Sequence, residues 1–272
     1  MRSLVALDRC VRVVLTALAF AGFYIGAILM SWLVLPFVAR GGGSESERGV
    51  RCRALVRRAF VFFHDYMRVA RLIRFDPRRT AITPLGKPYV LIANHPTLVD
   101  VTALMATYPD VVTVVKEPLF RGLSFGGLLR ACDHIASGRE GNMAGGRVVL
   151  EAVERLRAGL PVLIFPEGTR SPEGGLGAFR RGAFEIAARA NAPVVPALIS
   201  CNPPVLAKEA PWYRAPRTPS RYRIVQLPVL DPAAWKGDTR AMASHVHAMY
   251  AKAIESGSSM TAPSGEAEAV TP

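Results

Sequence analysis

Apolar positions recur along this chain in three rhythms, and each predicts a different kind of element. Residues 13–39 make 27 consecutive positions without a charge, Leu15, Phe20, Phe23, Ile28, Leu29, Trp32 and Leu35 among them. About 20 apolar residues span a hydrocarbon core, so this stretch is long enough to cross one with tilt. It is longer than the roughly 7–15-residue apolar region of a signal peptide, which also ends in a small-residue cleavage site. Pro36 is expected to end or kink the helix near its exit. Gly22 and Gly26 form a GxxxG that permits close helix packing.

The second rhythm begins after the polar turn Gly41-Gly42-Gly43-Ser44 and runs over residues 49–75. On a wheel of about 3.6 residues per turn, Leu55, Phe62, Phe63, Tyr66, Val69 and Ile73 share one face, with Arg53, Arg57, Arg68 and Arg71 on another. A basic amphipathic helix of this kind lies on an anionic membrane surface. A helix packed on its own domain with its arginines in water gives the same pattern. Residues 1–75 are therefore expected to form a membrane-associated two-helix element.

Past residue 80 short apolar runs alternate with helical spacing. The runs 89–93, 111–115, 161–165 and 194–199 read as buried strands. Helices are expected over 98–107, 119–131, 142–158 and 179–190, with Gly159 placed to stop the third. The alternation predicts an α/β domain over residues 76–255, a largely parallel sheet flanked by helices. Residues 256–272, rich in Ser, Gly, Pro and Glu, read as a disordered tail.

Composition narrows the partners. Half of the 272 residues are apolar, which excludes a disordered chain. Lys and Arg number 34 against 21 Asp and Glu, a formal charge of +13, and 29 of the 34 are Arg. The excess points to an anionic partner (a membrane surface, a phosphorylated substrate or an acidic carrier protein) or reflects a codon bias toward Arg. Only Arg2, Arg9 and Arg12 precede the apolar stretch, so the positive-inside rule puts the C-terminal domain in the cytosol, whether the first helix crosses or dips and returns. Cysteines at 10, 52, 132 and 201 form no CxxC pair, which indicates neither a disulfide scaffold nor a zinc module and fits a reducing compartment.

Two blocks bring chemistry to strand ends, where α/β folds carry their ligand sites. Asn94-His95-Pro96-Thr97-Leu98-Val99-Asp100 follows the first strand. His95 falls in the loop and Asp100 in the first turn of the next helix, close enough to reach back. A carboxylate holding one imidazole nitrogen leaves the other free to take a proton. Thr97 and Asp100 also fit a Ser/Thr-x-x-Asp helix cap, which is compatible with that role. The second block, Phe165-Pro166-Glu167-Gly168-Thr169-Arg170-Ser171, brings a carboxylate, a Gly turn and a guanidinium whose planar fork suits phosphate. Backbone N–H groups around Gly168 are further donors. An ordinary loop with a surface arginine is the plain alternative. Lys116-Glu117-Pro118 leads through Gly126-Gly127 to Ile135 and Arg139, and Ala192-Pro193-Val194-Val195-Pro196 closes the last core strand.

In this order, NHPTLVD, the region from Lys116 to Arg139, FPEGTRS and VVPA resemble the glycerolipid acyltransferases of the lysophosphatidic acid acyltransferase type, over roughly residues 85–200. The N-terminal helix pair is similar to that family's membrane-embedding element. The resemblance implies transfer of a fatty acyl group from a thioester, acyl-CoA or acyl-acyl carrier protein, to the free hydroxyl of a lysolipid, 1-acylglycerol-3-phosphate giving phosphatidic acid. It implies neither cofactor nor metal. It makes His95 the general base and Asp100 its orienting carboxylate. Glu167, Gly168, Thr169 and Arg170 are implied to bind the acceptor's phosphate, with Arg139 a second phosphate contact, Lys116 also on the substrate side and Pro196 shaping the apolar site. The implied location is the cytoplasmic membrane, catalytic domain toward the cytosol, where an anionic lipid surface or acyl carrier protein meets the basic chain. Thr97 stands where Ser is common in the first block, and Gly138 where Asp precedes the Arg. The second departure leaves another lysolipid open as acceptor, an amino-acid-headed one included.

Other classes compete. Gly122-Leu123-Ser124-Phe125-Gly126 matches the G-x-S-x-G elbow of a membrane-bound esterase, but that elbow needs a strand running into the turn, and residues 117–121 with Pro118 intervene. A non-catalytic lipid-binding protein predicts binding without turnover. His245 and His247 are two apart and point to different faces, His64 falls in the basic helix, and His134 follows Asp133, so no metal set emerges from spacing. Nucleic-acid binding suits the charge but not the apolar segment and the two blocks.

Overall fold

A computed structural model describes residues 2–75, 85–138, 146–214, 216 and 218–259. The apolar runs become the centre of a seven-stranded sheet: β1 (Ile73–Phe75), β2 (Val90–Ala93), β3 (Val112–Lys116), β4 (Ile135–Ser137), β5 (Val162–Ile164), β6 (Val194–Asn202) and β7 (Ser220–Gln226). Their order is β1-β7-β6-β2-β5-β3-β4. Strands β2 to β6 run parallel, β7 is antiparallel to β6, and β1 is parallel to β7. The expected α/β class with a largely parallel sheet is what forms.

Alternate residues of each central strand enter different cores. Val90, Ile92, Val162 and Ile164 pack toward α7 (Gly146–Arg157), α8 (Gly182–Ala190) and α9 (Thr239–Ser259). Leu91, Ala93, Leu163 and Val195 pack toward α4 (Asp100–Thr107) and the end of α3 (Glu45–Val69). Burial on both faces is why these strands read as unbroken apolar runs. The remaining expected helix, 119–131, is two short ones, α5 (Glu117–Arg121) and α6 (Gly126–Ala131). Of the expected tail, residues 256–259 belong to α9 and 260–272 lie outside the described residues.

The N-terminal element differs from its reading in three ways. Pro36 does not end the helix: α1 (Arg2–Leu29) passes through a π-helical segment, Met30–Val34, into α2 (Leu35–Arg40). The wider turn accommodates a residue that has no N–H and whose ring crowds the preceding turn. The π segment also docks: Ser31 Oγ donates to the Ser124 carbonyl at 2.9 Å, and Trp32 Nε1 to that of Leu123 at 2.8 Å. A Cβ on Gly127 would stand 2.8 Å from the Ser31 carbonyl oxygen, so only glycine allows this approach.

Second, α3 is bounded by signals at both ends. Ser44 and Glu47 form a reciprocal capping box that starts it at Glu45. It stops at Val69 because Arg71 turns left-handed (φ 56°) and the Leu72 N–H returns to the Met67 carbonyl at 2.9 Å. Ile73, placed on the helical face from its spacing, is therefore in β1, as no glycine or proline marks the turn.

Third, Arg53 is inside. It is 4% exposed, with Nη1 2.6 Å from Asp133 Oδ2 and Nε 3.4 Å from Asp110 Oδ1. Around it Leu35, Cys52 and Val56 share one core cluster with Leu128, Leu129 and Cys132. The element is thus packed on the domain, while Leu18, Ile25, Trp32, Leu33, Phe37 and Phe62 point outward. The continuous helix over Cys10–Arg40 is long and apolar enough to cross a membrane.

Replacing Arg53 by alanine leaves two carboxylates without their cation. Their side chains are 46% and 33% exposed and stay hydrated, so the expected loss is about 2 kcal/mol, below the ~3–5 kcal/mol of a fully buried pair. Thermal unfolding of Arg53→Ala measures it, and an unchanged midpoint removes the pair from the docking of α3.

Candidate active site

All parallel strands end at one edge of the sheet, and the two blocks meet there because β2 and β5 are neighbours. Asn94 prolongs the ladder beyond β2 with its side chain: Nδ2 donates to the Ile199 carbonyl at 2.9 Å, and the Ile199 N–H donates to Oδ1 at 2.7 Å. The chain then turns, and His95 Nδ1 lies 2.8 Å from Asp100 Oδ2.

Asp100 has no solvent exposure. Its Oδ2 also accepts the Thr97 N–H at 2.7 Å, and its Oδ1 accepts the Thr97 hydroxyl at 2.5 Å and the Tyr222 hydroxyl at 2.8 Å. With only acceptor oxygens facing it, Nδ1 of His95 carries the proton, which leaves Nε2 as the basic nitrogen. Among the described residues Nε2 takes no hydrogen bond, and the side chain is 17% exposed, its ring stacked on Phe165 at 4.3 Å. Of the expected cap only the bond from the Thr97 N–H to the Asp100 carboxylate forms: α4 is preceded by Val99 without a side-chain cap, and the Thr97 hydroxyl donates to Asp100 instead of accepting from the helix.

Glu167 is buried and faces inward. Its Oε1 accepts from Ser171 Oγ at 2.6 Å and from the His95 N–H at 3.1 Å, and its Oε2 accepts the Gly177 N–H at 2.7 Å. The Ser171 N–H closes the loop on the His95 carbonyl at 2.8 Å. The carboxylate implied to bind phosphate is thereby occupied in holding the turn that carries His95. Gly168, with φ 69°, has the Arg180 guanidinium packed 3.0 Å from where a Cβ would be, and it and Thr169 are exposed.

Arg170 ties the block to the segment after β6. Its Nη1 donates to the carbonyls of Leu206 and Ala207 at 3.2 and 3.0 Å, and its Nη2 to Lys208 at 3.3 Å. Three of the five N–H groups of a guanidinium are so engaged. Beside it opens a groove of about 430 Å³ lined by Ala17, Phe20, Leu98, Leu206 and Trp212. Phe20 and Trp212 meet edge to face at 6.1 Å.

The other candidates sit less centrally. Lys116 is exposed at the end of β3, on the same edge, without a bond to the cluster. Arg139 lies outside the described residues. Pro196 is buried within β6 opposite Ile92, its carbonyl accepting the Leu227 N–H, so it shapes the sheet beneath the site rather than the groove wall. Ser124 stands between α5 and α6 with no strand leading into it, which removes the elbow geometry.

The histidines away from the site have structural partners. His134 is buried, accepts the Thr113 N–H on Nδ1, and is pushed down to about 3 by desolvation, so it stays neutral. Burial likewise lowers His64 to about 4, where Nε2 pairs with the Thr102 hydroxyl at 2.9 Å. His247 and His245 contact the Phe179 and Trp235 rings. Sequence reasoning missed Tyr222, Ser171 and Gly177. The first has no motif near it, whereas Ser171 lies inside the second block.

The Acyltransferase family model matches residues 61–200. The 1-acyl-sn-glycerol-3-phosphate acyltransferase alpha of Mus musculus is 27% identical over 235 residues, 84% of this chain and 77% of that protein. A 1-acyl-sn-glycerol-3-phosphate acyltransferase of Pseudomonas aeruginosa is 33% identical over 152 residues, 56% of this chain and 58% of that protein. The crystal structure of the 1-acyl-sn-glycerophosphate (LPA) acyltransferase PlsC from Thermotoga maritima superposes with a TM-score of 0.71 at 18% identity, covering 91% of this chain and 98% of that one, a likeness of fold.

Glu167→Gln turns one acceptor oxygen into a donor facing N–H or O–H groups. One of these loses its partner, at a cost of about 1–3 kcal/mol. The expected result is a lower unfolding midpoint and lower kcat with acceptor KM within twofold. A rise in KM alone, at unchanged stability, would put Glu167 on the substrate instead.

Proposed function

The chain belongs to the acyltransferase family, whose model spans half of its length, and from that premise we propose that it moves a fatty acyl group from a thioester to the free hydroxyl of 1-acylglycerol-3-phosphate, with His95 as general base. The observation that carries this is the His95–Asp100 contact of 2.8 Å with Nε2 unpartnered among the described residues, three residues from the groove wall at Leu98.

The lysolipid hydroxyl gives its proton to Nε2 as its oxygen attacks the thioester carbonyl. Asp100 stabilises the imidazolium that forms. The tetrahedral intermediate expels the thiolate, the new ester remains, and the Nε2 proton passes to the leaving sulfur. Every bond and proton balances without a cofactor or an enzyme nucleophile. The developing oxyanion calls for backbone N–H donors. Arg170 keeps two N–H groups for the acceptor's phosphate while its other three fix the groove's far side.

The outward apolar side chains of α1 to α3 and the groove's own wall at Ala17 and Phe20 support a membrane as the source of the lysolipid. The arginine distribution supports the cytosolic face of the cytoplasmic membrane, where acyl-CoA or acyl-acyl carrier protein is met.

The test is thiol release from both donors against a panel of lysolipids. Release should depend on lysophosphatidic acid and fall by two or more orders of magnitude, about the scale of a general base, in His95→Ala. Arg170→Ala should raise acceptor KM about tenfold at little-changed kcat, as loss of a charge-assisted contact made equally in ground and transition states. Activity with another lysolipid alone keeps the mechanism and changes the acceptor. Binding without release from any donor sinks the enzyme reading.

A further inference from the structure

We propose that Tyr222 is a positioning residue of this reaction, which through its hydrogen bond to Asp100 sets how readily His95 Nε2 takes a proton. The proposal rests on His95 as the base. Tyr222 sits 122 residues beyond Asp100, in the antiparallel strand β7, and no block of the sequence includes it.

Its side chain is fully buried and its hydroxyl donates to Asp100 Oδ1 at 2.8 Å. The ring is fixed by Phe75 of β1 at 5.0 Å, and the backbone by register against Cys201 of β6. The hydroxyl is therefore delivered to the carboxylate by the sheet, not by the loop that carries His95. Asp100 has two donors on each oxygen: Thr97 and Tyr222 on Oδ1, Thr97 N–H and His95 on Oδ2. These donors compete for one negative charge. Withdrawing charge at Oδ1 weakens the hold of Oδ2 on a protonated ring; removing that donor strengthens it.

Few other charges face this cluster. Cys201 of β6 stays a neutral thiol, pushed up to about 12 by burial. Tyr222 itself is held protonated by burial and by Asp100. His64 of α3, stacked on Phe75, is neutral above about 4. Glu167, after β5, meets the His95 backbone N–H, and Arg170 faces the carbonyls of residues 206–208.

The experiment compares wild type, Tyr222→Phe and the full-length protein with 3-fluorotyrosine at position 222, a stronger donor of nearly the same shape. Two readouts are taken in detergent: the pH profile of kcat/KM and the NMR titration of the His95 imidazole. In Tyr222→Phe the protonated ring is held more strongly, so the acid limb and the titration should move to higher pH, with a three- to tenfold loss on the acid side, about half to one unit. The fluorinated protein should move both to lower pH, and acceptor KM should stay within twofold throughout. A side chain that merely fills space gives no such opposed pair. Coincident imidazole titrations in all three proteins overturn the proposal. If Tyr222→Phe does not fold, the fluorinated protein decides alone, and an unmoved titration there has the same meaning. The titration needs no turnover, so His95→Ala retaining activity while the titrations diverge defeats the base reading and leaves the Tyr222 linkage standing.

Discussion

A carboxylate with no solvent contact must be surrounded by donors, and that requirement at Asp100 organises the site. The donors come from separate parts of the chain: the Thr97 backbone and hydroxyl from the turn, the His95 ring from the end of β2, and the Tyr222 hydroxyl from β7. Meeting the requirement ties the turn after β2 to β7 and sets which tautomer His95 adopts. Because the charge is satisfied by neutral donors, its field is directed at the imidazole rather than cancelled by a nearby cation.

Glu167 solves the same problem with backbone groups. Its oxygens take N–H groups from His95 and Gly177 and the hydroxyl of Ser171. One buried carboxylate orients the ring and the other holds the peptide to which the ring is attached. The two strand-end blocks therefore work as one unit, since each leaves polar atoms that the other satisfies. Arg170 extends the unit outward, as its three carbonyl contacts carry the second block's position to the groove wall.

The central strands were readable because burial on both faces leaves unbroken apolar runs, and the His95–Asp100 pair because its five-residue spacing is local. What was hidden depends on distance along the chain. β1 and β4 are three residues each, too short to show a period, whereas β7 does carry a local signal in its alternating polar and apolar residues. Tyr222 has meaning only through register with β6, which no local pattern encodes. Arg53 was placed among solvated arginines because helical spacing says which residues share a face, not what the face meets; its partners are 57 and 80 residues away. Glu167 and Arg170 were found by type and position, while their contacts required the folded chain.

The N-terminal helices have two duties that pull in opposite directions. Their inward residues belong to the domain's own cores, with Leu35, Cys52 and Val56 against α6 and Met67 against the sheet. Their outward residues form an apolar surface that water does not stabilise. A detachable anchor would need only the second property. Here the helix with the membrane-length apolar run also supplies Ala17 and Phe20 to the groove beside Leu98 and Arg170. The groove, as lined, includes α1 and so depends on its docking. The apolar outward surface and the wall of the groove are thus properties of one helix.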